Sequence, residues 1–466
     1  MLHTAPLSHP QPIRSELRAL WQLTWPILVG QLANVGMSVS DVAMAGHASA
    51  QDLAGISLGV SVWNMVIITL MGIMMSVSPL VAHHVGAKAL HKVPHEVRQA
   101  LWKAVILGVF AIAIMQSTVF IFEAMDLEPV TRSVAIGFVV ITSYSMPAFA
   151  VYRVLYGYSA SLNQTKPLMF VAIGALVLNI FLNWVLVFGH WGFPRLGGLG
   201  CAWSTLLCVW ANLGGLLWWM RRSSAYQSTW PFSQFEWPHG PKLRSLLQLG
   251  LPIGLTYFAE TSAFGLIAFL IARFGSTEIA AHQIALNFTS LVFMVPLSLG
   301  VAVLTRVGQS LGAGDAVAAR FRSWVGVGAG LGFAAVSALT MAVFNHQIAG
   351  LYTSDVGVAG VAAHLLFLAA IFQLSDSAQV VTSSAIRGYK ITRSPMLVQL
   401  TAFWVVSLPL GYLWGIAPSG FFASPEHPMG AAGFWWALVV GLTVGALGLL
   451  VLLKHVARNR IVAYPQ

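Results

Sequence analysis

The sequence predicts an all-α integral membrane protein, with twelve transmembrane helices forming two parallel six-helix repeats. Three observations carry this. The 466 residues are 57% hydrophobic and 8% charged, with a mean hydropathy of +0.78. The apolar residues fall in runs of about 20, the length that spans a bilayer. The cations gather at alternate ends of those runs. A soluble domain carries about a quarter charged residues, so a water-soluble fold is excluded. A disordered chain and a disulfide scaffold are excluded too, since Cys201 and Cys208 are the only cysteines. Seven residues apart in one apolar run, they read as small buried side chains.

Taken in order, the apolar runs centre on residues 17–45, 54–80, 100–122, 134–157, 168–189, 199–220, 246–271, 281–307, 323–345, 357–384, 396–417 and 431–453. They must be helices, because an open strand would leave backbone groups unsatisfied in lipid. The first run is too long for a signal-peptide core and lacks a small-residue cleavage pattern, so it reads as the first span. With both termini cytosolic, all of the 24 Lys and Arg except Arg132, Arg195 and Arg273 fall on the cytosolic side. In this reading Arg153 faces the cytosolic end of the fourth span. The net charge of +10 therefore reports orientation, and no nucleic-acid partner is expected. His83 and His84 read as part of a solvated basic loop. The longest polar stretch, residues 223–241, is expected to be a cytosolic linker between an N-terminal lobe (1–222) and a C-terminal lobe (242–466).

The two halves read as repeats. Setting residues 20–87 on 246–313, an offset of 226, matches Gln22, Pro26 and Ile27 with Gln248, Pro252 and Ile253, and Gly86-Ala87 with Gly312-Ala313. Farther on, GGLGCAWS from Gly197 is similar to GAAGFWWA from Gly430. Six spans per half make the repeats parallel, an architecture typical of transporters with a site near the midplane. No Gly-Lys dipeptide occurs, so there is no phosphate-binding loop for ATP. An ion gradient is the expected energy source, and no cofactor or catalytic constellation is expected.

Three acids fall inside spans: Asp41, Glu260 and Asp376. Each costs on the order of 2.5–3.5 kcal/mol on insertion scales, which marks them as functional. Such an acid either holds a proton or stays ionised beside a cation, and either makes it an ion-coupling group. The alternative is a protonated acid bonding a neighbouring helix. Asn179 and Asn183, four apart on one helix face, complete an oxygen-rich site with Asp41 or simply bond between helices. Ser57 and Ser61 on the second span match Gln283 and Asn287 on the eighth; these line the cavity or make ordinary helix contacts. Met37, Phe258, Phe288 and Met294 are candidate apolar walls. Pro26 and Pro252 are expected to kink their helices and free backbone carbonyls.

Pro26 with Asp41-x-x-Met-Ala-Gly46, Ser78-Pro79-Leu80 leading to Gly86-Ala87, Pro252-Ile253 leading to Glu260, Asp376 followed by Arg387-Gly388-Tyr389, and Pro395-Met396 recur in order along the chain. Together they resemble the multidrug and toxin extrusion (MATE) family in its NorM-like bacterial branch, over almost the whole length. The resemblance implies export of small organic cations and drugs against Na⁺ or H⁺, by a multi-pass bacterial inner-membrane protein, here expected to act as a monomer. It assigns Asp41 to the first-lobe carboxylate and Glu260 and Asp376 to a second-lobe ion site, with Na⁺ as its candidate metal. It places Asp355 near the external mouth. Asn183 stands where some members carry a second acid, which favours second-lobe Na⁺ coupling. The rival class is a flippase for lipid-linked precursors, which would want cations in its cavity, whereas the deep charges read here are acids. A non-transporting scaffold would not need three intramembrane acids.

Overall fold

Helix is the only regular structure among the described residues, 12–417 and 428–463, of the computed structural model. The chain ends, on which the orientation of both termini rests, lie outside them. The first half forms α1 (Ile13–Ala48), α2 (Ala50–Met74), α3 (Val77–Gly86), α4 (Val93–Ser117), α5 (Val119–Ala124), α6 (Pro129–Ser143), α7 (Met146–Ser161), α8 (Lys166–Phe188) and α9 (Gly198–Arg222). The second forms α10 (Gly240–Ile271), α11 (Ser276–Gly312), α12 (Ala316–Val343), α13 (Asn345–Tyr352), α14 (Val356–Gly388), α15 (Arg393–Leu400), α16 (Leu408–Gly415) and α17 (Ala431–Ala463). A π-helical turn, Thr401–Ser407, joins α15 to α16. Eleven helical stretches are long and apolar enough to cross a membrane, and α6 with α7, bent by 48°, brings the number to 12. Pro147 in the first turn of α7 contributes no N–H, so the helix restarts there. Phe110, Phe120, Phe269, Leu339 and Val451 turn their side chains outward, as a lipid-facing surface requires.

The repeat register survives in the backbone. Lys88 (φ 55°) and Gly314 (φ 80°), 226 apart, are both left-handed, each just before the helix that begins the third span of its half. Gly197 (φ 55°) and Gly430 (φ 59°) likewise both precede the last span of their half. α1 and α10 run without interruption through Pro26 and Pro252.

The chain forms two compact units that do not follow the sequence halves throughout. The first unit holds Pro26–Leu266 and Ile391–Trp404; the second holds Met1–Trp25, Ile267–Lys390 and Val405–Gln466. The start of α1 thus belongs with second-half helices, and almost all of α10 with first-half helices. Ion pairs fix both starts. In the second unit Glu16, fully buried, accepts from Arg306 Nε at 2.9 Å and lies 3.4 Å from Arg322 Nε. In the first unit Lys242 Nζ donates to Glu96 Oε1 at 2.5 Å, with His84 Nε2 at 3.4 Å from the same oxygen. Positions 16 and 242, and 96 and 322, are repeat-mates, so the same pair occurs twice with its charges reversed. Each first turn placed in the other's seat would meet a like charge. Glu16, Glu96 and His84 are therefore structural rather than solvated loop residues. Glu16→Lys would put a third cation beside Arg306 and Arg322. Breaking a buried pair costs roughly 3–5 kcal/mol, so its unfolding midpoint in detergent should fall well below that of the wild type. An unchanged midpoint would contradict this assignment.

Residues 223–241, expected as a plain linker loop, are docked on the first unit. Tyr158 Oη donates to Thr229 O at 2.9 Å, Trp102 Nε1 to Glu236 O at 2.7 Å, Gln99 Nε2 to Trp237 O at 3.0 Å, and Arg98 pairs with Glu236. The hydrogen bond from Arg98 holds the Glu236 carboxyl below its ordinary value. A lowered carboxyl pKa contributes stability that is complete above the unfolded value of ~4.3 and is lost as pH falls through the folded one. Glu236→Gln should therefore lower the unfolding midpoint at pH 7, with the gap from wild type closing as the pH drops below ~4.3. A gap independent of pH would contradict this.

Candidate functional site

Asp41 lies in the last quarter of α1, 9% exposed, where α8 and α9 of the first unit close over it. Asn179 and Asn183 fall one turn apart on α8, as their spacing requires, and both reach one carboxylate oxygen. Asn183 Nδ2 donates to Asp41 Oδ1 at 2.6 Å and Asn179 Nδ2 at 3.0 Å, while Thr205 Oγ1 of α9 donates to Oδ2 at 3.2 Å. Asn183 Nδ2 also lies 3.2 Å from Asn179 Oδ1, and Asn179 is held by Ser204. Cys201 contributes only a thiol hydrogen bond to the Asp41 carbonyl at 3.6 Å. Three neutral donors, two amides and a hydroxyl, thus converge on one carboxyl group. Asn183 Oδ1 is buried and has no hydrogen-bond partner. Turning that amide would aim an oxygen, beside those of Asp41 and Asn179, at a hard cation.

Asp41 opens onto a cavity of about 210 Å³. Its apolar wall includes Met37, Trp63, Ile67 and Phe149, and its polar atoms come from Asn64, Asn179, Thr205 and Asn212. Arg153 also lines it. The sequence reading assigns Arg153 to the cytosolic end of its span; the structure places it in the cavity wall. Its guanidinium lies over the Tyr156 ring at 4.4 Å, and its Nε is buried without a hydrogen-bond partner. The fully buried Lys103 on α4 is a second deep cation. The deep charges are thus not all acids, because a tally by span ends credits every cation in an apolar run to the nearer loop.

The remaining predicted residues are distributed as follows. Glu260 is half-buried on α10 in the first unit. The π-helical turn braces the helix beside it: Trp404 Nε1 donates to Ala259 O at 3.0 Å, and Phe403 meets Phe264 edge to face. π-turns inside helices recur at functional sites. Asp376 is buried on α14 in the second unit, as are Gln373, Gln379, Thr382 and Ser383 of the same helix. Several of those polar atoms have no hydrogen-bond partner, as in a core that admits water or an ion. Ser61 donates to Ser57 O of its own helix at 2.8 Å and is absent from the cavity wall, which takes Trp63 and Asn64 from the same helix instead. Gln283 and Asn287 are exposed on α11, where Asn287 Oδ1 accepts from Tyr352 Oη at 3.0 Å. Asp355 is the N-cap of α14, accepting from Val358 N at 3.0 Å, which gives that acid a structural task.

Two parallel repeats of membrane helices, with a polar, mainly apolar-walled cavity inside one of them, define a polytopic membrane protein of the transporter class. The chain belongs to the MatE family, whose model matches residues 26–185 and again 252–413, the two starts 226 apart. It is 41% identical over 457 residues to the multidrug resistance protein PmpM of Pseudomonas aeruginosa, covering 98% of this chain and 95% of that one. It is 38% identical to the multidrug resistance protein NorM of Vibrio cholerae, covering 93% and 94%. Among solved structures it is similar to a eukaryotic MATE transporter, AtDTX14 (TM-score 0.84, 19% identity, 97% and 99% covered). It is also similar to an outward-facing multidrug resistance MATE family transporter (TM-score 0.85, 18% identity, 99% and 100% covered). The fold is the MATE fold, and the chain is a membrane transporter rather than an enzyme.

Proposed function

We propose that this protein is a secondary active multidrug exporter, exchanging Na⁺ or H⁺ for lipophilic organic cations by alternating access, as a monomer in the bacterial inner membrane with both termini cytoplasmic. The observation that carries this is the Asp41 carboxylate, held by neutral donors at the edge of an apolar and aromatic cavity. Such a wall binds planar bodies of many shapes, and the acid attracts their charge. The multidrug resistance names of the relatives agree with that chemistry. Asp376, among polar groups on α14, and Glu260, on the helix braced by Trp404, are the ion-coupling acids in this reading. Asn183, neutral beside Asp41, leaves the first-unit cluster with one titratable member, which favours Na⁺ at the other acids. Ion and drug oppose each other, and that antagonism is reciprocal.

Arg153 is the one observation favouring a flippase for anionic lipid-linked precursors, because a cavity guanidinium suits pyrophosphate. Purified protein in liposomes, given a fluorescent organic cation and either a Na⁺ or a pH gradient, separates the two readings. Dye movement driven by one gradient identifies an antiporter and its ion. No movement under either, from folded and inserted protein, overturns the antiport reading in favour of the flippase.

A further inference from the structure

Lys103 stands midway along α4, 1% exposed within an apolar span. Its ammonium donates to Ile73 O at 3.0 Å and to Ser76 Oγ at 2.6 Å, and that hydroxyl passes its own hydrogen to Ile73 O at 3.1 Å. Ile73 lies in the last turn of α2, where helix carbonyls run out of onward partners: Met75 N serves Met71 O and Gly72 O, while Ile73 O takes Lys103 and Ser76. Lys103 therefore staples the break between α2 and α3.

Two further elements meet at this break. Upstream, α2 supplies Trp63, Asn64 and Met71 to the Asp41 cavity. From the other side, α10 packs backbone against backbone. A Cβ on Gly250 would collide with Ile73 O, and one on Gly72 would stand 2.8 Å from Gly254 Cα. Glu260 lies less than two turns beyond Gly254 on the same helix. The second repeat lacks this device at the matching positions. Leu299, Ala302 and Ala329 stand where the first repeat has Ile73, Ser76 and Lys103, and α11 runs unbroken past the first two. Fold stability alone does not call for the cation, since a buried charge costs on the order of 2.5–3.5 kcal/mol in a span. With the ammonium removed, Ser76 Oγ still donates to Ile73 O, so that carbonyl is not left bare.

We propose that Lys103 is a positioning residue that couples the drug-binding and ion-coupling parts of the first unit, anchoring the α2 wall of the Asp41 cavity and the Glu260 helix to one staple. The role rests on the antiport reading above. It acts through Ile73 and Ser76 and touches neither drug nor ion.

The test compares wild type with Lys103→Met, Lys103→Arg and Ser76→Ala, measuring the unfolding midpoint, dye Kd in detergent without a gradient, and gradient-driven export from liposomes. Lys103→Met should keep its midpoint and its dye Kd while export falls roughly 5–150-fold, the range of ordinary coupling free energies. Ser76→Ala should fall between, and Lys103→Arg should keep most of the export. Wild-type export in Lys103→Met would overturn the proposal, as would a rise in Kd together with loss of export and a lower midpoint, which marks a merely structural residue. Wild-type protein that exports under neither gradient would instead sink the antiport reading and this role with it.

Discussion

Asp376→Asn and Glu260→Gln should each insert and fold like the wild type yet lose gradient-driven export. Asparagine and glutamine keep the volume and one acceptor oxygen, so α14 and α10 should keep their packing. What disappears is the charge. A hydrogen bond or ion contact to a charged partner is worth ~1.5–3 kcal/mol, so the coupling ion should bind roughly ten- to a hundredfold more weakly. Because ion and drug are linked reciprocally, a transporter that no longer takes the ion no longer expels the drug against it. Dye binding to the unenergised protein should persist in both variants, since Asp41 and its cavity are unchanged. The comparison is initial export rate against dye Kd for each variant. Wild-type-like export in both would remove these acids from the mechanism.

Asp41→Asn should act on the other partner. In the wild type the carboxylate takes hydrogen bonds from Asn179, Asn183 and Thr205. An asparagine retains one acceptor for them and can donate to the Thr205 hydroxyl, so the cluster should hold together. The cavity then loses the only acid among the described residues of its wall while keeping its aromatic and aliphatic surface and Arg153. Export of cationic dyes should fall by at least about tenfold, the effect of one ~1.4 kcal/mol charged contact, while a neutral compound of similar shape should be exported nearly as before. Equal losses for both would mean that Asp41 serves ion coupling or gating and does not meet the substrate.

The spans were legible because apolar length and cation placement are properties of continuous sequence. The Asp41 cluster was legible because an intramembrane acid and two asparagines one helical turn apart are rare enough to single out. Thr205 was not, since threonines are common in spans and nothing in its neighbours marks it. Ser61 was chosen for its polarity, but a span serine bonds the carbonyl four residues back on its own helix, and that is where its hydroxyl goes. Asp355 precedes a long helix and caps it, a local task that its spacing from Val358 carried all along. Lys103 and Arg153 escaped because a single cation in an apolar run looks the same whether it snorkels to the interface or turns inward. The seating of the first turns of α1 and α10 was out of reach from either half alone. The charge-reversed pairs that accompany it emerge only when Glu16, Lys242, Glu96 and Arg322 are placed in space and the repeat register is laid over them.

The antiport reading is tested most directly by running the cycle backwards. Liposomes containing the protein, with equal Na⁺ and equal pH on both sides, are given a gradient of an organic cation alone, and radioactive Na⁺ and internal pH are followed together. An antiporter must move one of these ions uphill against the dye, and Asp376→Asn must abolish that movement. Dye that equilibrates with neither ion displaced, in protein shown to be folded and inserted, would contradict the account.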